Sequence, residues 1–171
     1  MLSGLLLFVG VALGGDVLVP TYTPATMSDF GPSERLTEET LKALAARDVA
    51  FVAPSEIHRR AGEVSDGCAD VPDCADTLWR HFGTARLAVI GAVTWDDGLL
   101  KARVRFHGPD DASPIEVLTD TFPEDELPVF AAHVAESARD LLGLVPPREA
   151  GGVLLAVASP VVSLQVCVPL L

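Results

Sequence analysis

The chain has 171 residues, of which 49% are apolar and 21% charged, and its formal net charge is −12. That is enough chain for one domain with its own core, and too apolar for intrinsic disorder. The acidic balance repels a phosphate backbone and an anionic membrane surface, which argues against nucleic-acid binding and electrostatic membrane adsorption.

Residues 1–14, "MLSGLLLFVGVALG", form an apolar run that ends in small residues. Ala12-Leu13-Gly14 fits the small-x-small pattern of a signal-peptidase site, and the run is too short to span a bilayer as a helix. No Lys or Arg precedes it, where a signal peptide usually carries positive charge. The expectation is an exported chain whose residues 1–14 are a signal peptide. The alternative is a buried first strand.

Residues 16–22, "DVLVPTY", then read as a short strand limited by Pro20. A loop follows, and "SERLTEETLKALAARD" (33–48) reads as a helix with Ser33 at its N-cap and Leu36, Thr40, Ala43, Leu44 and Arg47 on one stripe. "VAFVAPSEI" (49–57) reads as a buried strand stopped by Pro54. Asp73 caps a next helix, in which Cys74, Leu78 and Phe82 share a face and which Gly83 ends. "RLAVIGAVTW" (86–95) reads as a strand buried on both faces, and Asp96-Asp97-Gly98 as a hairpin turn. In the strand after it, Leu100, Ala102, Val104 and Phe106 alternate with Lys101, Arg103, Arg105 and His107. A further strand (114–122) and a helix running from Glu124 to Gly143 complete the pattern.

The predicted order is β-α-β-α-β-β-β-α. Strands joined through helices pair in parallel and hairpins pair antiparallel, so the expectation is an α/β fold with helices packed on a mixed sheet. The predicted domain spans 15–145 and a linker covers 146–152. The uncharged segment 153–171 follows. Its valines and its prolines 160 and 169 suit the opening of a small β domain, with a membrane anchor as the alternative.

The two nearby cysteines, Cys68 and Cys74, have five residues between them and acidic neighbours. Those acids raise a thiol pKa, and the spacing is not Cys-x-x-Cys, which argues against redox catalysis. In an exported chain such a pair closes as a disulfide, and a turn at Val71-Pro72 brings the α-carbons within reach. The alternative is a metal-binding or thiol protein using Cys68, Cys74 and His81, with Asp70 or Asp73 as a fourth ligand. Its spacing is poor for structural zinc. Cys167 lies alone in the apolar tail. No nucleophile elbow and no glycine-rich phosphate loop is present, so no cofactor and no enzymatic chemistry are expected. Lys101, Arg103 and Arg105, with Trp95, form a candidate interaction face. The competing expectation is that the bases pair across strands with Glu116 and Asp120.

The run of elements resembles the TolB amino-terminal-like domains and the related domains of CsgG-type envelope proteins. The residues that carry the resemblance are Gly83 and Ala85, the strand Gly91-Ala92-Val93, the turn from Asp96 to Gly98 and the strand from Leu99 to Phe106, and it covers residues 16–145. It implies an exported, non-enzymatic domain of the bacterial cell envelope, periplasmic or envelope-associated, that binds envelope protein partners. Residues 157–168, "VASPVVSLQVCV", are similar to the start of a PEGA-type domain.

Overall fold

The computed structural model describes residues 15–62, 68–69, 73–109 and 113–144. The signal-peptide segment, the linker and the apolar tail expected from the sequence lie outside the described residues. Within them, six strands form one mixed sheet: β1 (Val17–Leu18), β2 (Thr23–Pro24), β3 (Phe51–Val52), β4 (Leu87–Asp96), β5 (Leu99–His107) and β6 (Glu116–Pro123). Four helices pack on it: α1 (Phe30–Ala45), α2 (Pro54–Ala61), α3 (Cys74–His81) and α4 (Leu127–Leu144). The mixed α/β class expected from the sequence is the class observed.

The strand order is β3-β1-β4-β5-β6, with β2 also pairing β4. β1 runs parallel to both β3 and β4, and β2 runs parallel to β4. The β4–β5–β6 meander is antiparallel. Its first turn is the expected Asp97-Gly98 hairpin. Both residues have positive φ, 47° and 80°, as a two-residue type I′ turn requires.

Two local readings are corrected. The expected strand over 49–57 is confined to Phe51–Val52, and Pro54 starts helix α2 instead of ending the strand. Proline suits the first helical turn because the N–H it lacks has no intrahelical acceptor there. Ser33 is not an N-cap. Helix α1 already begins at Phe30, and the fully buried Ser33 hydroxyl donates back to the Phe30 carbonyl at 2.8 Å.

The sheet separates two cores. On one face, α1 and α4 cover Val17, Val89, Leu100, Val104 and Phe106. Arg35 of α1 pairs with Glu124 just before α4, and Arg47 just after α1 pairs with Glu136 of α4, so the two helices run in the same direction. Helix α1 buries a polar stripe here, and each hydroxyl on it is satisfied. Thr37 accepts the Tyr22 N–H at 3.0 Å and donates to the Ser33 carbonyl, and Thr40 accepts the Tyr22 phenol proton at 3.2 Å. Burial pushes the Tyr22 phenol well above its ordinary range, against a smaller opposing effect of the Thr40 bond. The Tyr22 ring lies flush on Gly91, where a Cβ would sit 2.5 Å from Cδ1. That contact gives a physical reason for glycine in Gly91-Ala92-Val93. On the other face, α2 and α3 cover Leu18, Val52, Ala88 and Ile90 with Ile57, Leu78, Trp79 and Phe82.

Candidate interaction face

Among the described residues, the core under α2 and α3 takes Ala88 and Ile90 from β4 and no residue from β5 or β6. The alternating burial of β5 from Leu99 to Phe106 shows why a face remains there. Leu100, Ala102, Val104 and Phe106 are buried toward α1 and α4, and Lys101 and Arg103 stand exposed on the opposite side. Directly opposite residues on neighbouring strands share a face. Register therefore places Thr94, Ala92 and Ile90 of β4 beside Lys101, Arg103 and Arg105, and Thr121, Thr119 and Val117 of β6 on their other side. The result is a row of bases about 7 Å apart, as alternate residues of a strand must be. Short side chains flank it.

This register corrects the expectation that the bases pair with Glu116 and Asp120. Those acids alternate onto the helix side, where Glu116 accepts the Ser137 hydroxyl proton at 3.0 Å. Among the described residues, Lys101 and Arg103 form no ion pair. Arg105 is held differently: its guanidinium donates to the Ala69 carbonyl.

Trp95 does not join the bases. It pairs with the buried Leu100 and packs, half-buried, on the α1–α4 core. Its backbone N–H donates to Asp29 Oδ1 at 2.9 Å. Asp29 is fully buried, and its other oxygen accepts the Thr26 N–H and hydroxyl at 2.7 and 2.8 Å. Burial raises the Asp29 carboxyl, but these bonds outweigh it and hold the group below the usual carboxylate range. Sequence reasoning passed over Asp29 as loop. The Thr26-x-x-Asp29 spacing, with an acid three residues after a threonine, is the signal that points to it. Outside this knot, residues 21–27 and Phe30 line an open groove of about 570 Å³, in which Met27 is 83% exposed.

Cys68 and Cys74 are joined as a disulfide with α-carbons 5.3 Å apart, and both are buried in the second core. The alternative ligand set of Cys68, Cys74 and His81 is not assembled. The cysteines bond each other, and His81 is exposed at the far end of α3. No cluster of three potential metal ligands occurs among the described residues, and no helix there is long and apolar enough to cross a membrane.

No protein-family model matches the chain, and no curated protein matches it by sequence. Solved structures do share its fold. LpoB of E. coli superposes with a TM-score of 0.51 at 15% identity, over 67% of this chain and 59% of that one. Lipoprotein GNA1162 of Neisseria meningitidis superposes with a TM-score of 0.50 at 11% identity, over 74% of this chain and 95% of that one. The chain thus spans about three fifths of the LpoB chain it resembles. At these identities the likeness is one of fold.

Proposed function

We propose that this chain is a non-enzymatic, exported interaction module of the bacterial cell envelope, belonging with the TolB amino-terminal-like and CsgG-like domains that it resembles in element order. The observation that carries the reading is the half-covered sheet. One face is packed by α1 and α4, and the other ends in exposed Lys101 and Arg103 beside an eight-residue strand with no further strand paired to it among the described residues. Unpartnered charge on a rigid sheet, in a chain with an acidic total, is a surface suited to recognition. The Cys68–Cys74 disulfide supports export, because such bonds persist in oxidising compartments. The fold shared with a neisserial lipoprotein supports an envelope setting.

Site-specific photo-crosslinking in intact cells tests this. A crosslinking residue at Thr119, Thr121, Lys101 or Met27 is expected to capture a discrete envelope protein from at least one position. Absence of any intermolecular product from all four positions, or recovery of the chain in the cytoplasm with free thiols, overturns the reading.

A further inference from the structure

We infer that the outer edge of β6 takes up an extended acidic segment of a partner protein as an added strand, with Arg103 and Lys101 reaching across Thr119 and Thr121 to its carboxylates. This deepens the interaction reading and rests on it.

β6 is the terminal strand of the described sheet, it carries no lysine, and its one proline, Pro123, is its last residue, which leaves the N–H groups of residues 116–122 in place. Val117, opposite Arg105 on the open face, is about 40% exposed. The Thr121 N–H is met by the neighbouring Asp120 carboxylate at 2.7 Å. A local side-chain oxygen thus sits on a donor that an incoming strand's carbonyl can take over.

The side chains beside this edge select the occupant. A strand added to β6 lies two strand spacings, about 10 Å, from β5. The side chains between are threonines and a valine, low enough for an arginine or lysine to pass over. Bases at alternate positions of β5 match carboxylates at alternate positions of the incoming strand, beside Thr119 and Thr121. Val117, with the Arg105 cation already held by Ala69, suits an apolar residue at the next alternate position. A second copy of this chain fits poorly. Edge-to-edge pairing of two β6 strands on the same face brings two basic rows together, and the acids of β6 stay on the helix side. The tail from Val153 to Leu171 also fits poorly, because it carries no acidic residue.

The test uses the oxidised full chain and synthetic ten-residue peptides in which apolar and acidic residues alternate. Two controls have Gln in place of the acids, or N-methyl groups on alternate peptide nitrogens in either phase. Backbone NMR is expected to show shifts confined to β5 and β6 for the acidic peptide. Binding should weaken about tenfold in the Lys101→Glu/Arg103→Glu double variant and as salt is raised, as two exposed ion pairs allow. One phase of N-methylation should abolish binding and the other leave it. Equal binding of the Gln peptide, indifference to both N-methyl phases, or shifts centred elsewhere overturns the inference. No binding of the acidic peptide overturns it as well. The crosslinking experiment separates the two claims: a partner captured at Met27 but not at Thr119 or Thr121 leaves the interaction module standing and removes the strand-addition site.

Discussion

Asp29 ties the start of α1 to the end of β4 by accepting the Trp95 N–H at 2.9 Å. It joins a 3-10 turn to a strand 66 residues later in sequence, and it does so from a fully buried position. Hydrogen bonds to a charged acceptor contribute about 1.5–3 kcal/mol each, so Asp29→Ala should destabilise the fold by about 2–4 kcal/mol in urea unfolding.

The same carboxylate sets an acid limit. Its folded pKa lies below its unfolded value, so the stabilisation is complete above the unfolded pKa near ~3.9 and is lost as pH falls through the folded one. The stability gap between the parent and Asp29→Asn should therefore be constant from pH 7 to about 5 and close at lower pH. A gap that widens on acidification contradicts this assignment.

Gly91 and Tyr22 are fitted to each other. Gly91→Ala drives a methyl group into the ring and should cost about 1–3 kcal/mol by overpacking. Combined with Tyr22→Leu, the loss should be less than the sum of the single losses, which a double-mutant cycle measures.

The disulfide closes a short loop at the start of α3. Reduction, or Cys68→Ser with Cys74→Ser, should lower stability by about 2 kcal/mol in the chain-entropy model. Thiol labelling of chain taken from its native compartment should proceed at these cysteines only after reduction.

Lys101 and Arg103 should matter to binding and not to folding. Both are exposed, so Lys101→Glu and Arg103→Glu should each change unfolding free energy by no more than about 0.5 kcal/mol. A large loss would reveal a structural partner for the base.

What could be read from sequence follows from the range of the forces involved. The alternation of β5 was legible because one residue in two must face the core, and the hairpin because Asp97-Gly98 meets the positive-φ demand of its turn. The same turn already contained the answer for Trp95. If Asp97 and Gly98 make the turn, Trp95 lies opposite Leu100 and must share its buried face. The pairing of Arg103 with Thr119 was not legible, because the longer connection after β5 leaves register open by a residue and one residue exchanges the faces. The start of α1 was misplaced because Ser33 has cap chemistry, while the real constraint is Asp29 bonding to the distant Trp95. Pro54 was ambiguous in kind, since it ends strands and begins helices. β2 has two residues and is held by β4, so it left no periodic signal at all.

The first strand has both of its partners later in the chain. β1 lies between β3 and β4, and neither exists when residues 17–18 emerge from a ribosome or a translocation channel. Loop closure to Leu87 must precede any pairing between β1 and β4, whereas the β4–β5–β6 meander forms from neighbours. Pairing of β1 with β3 can follow α1, but its pairing with β4 waits until most of the domain has been delivered. A chain delivered amino terminus first thus joins the parallel half of its sheet to the meander only after Leu87 and Ala88 have emerged.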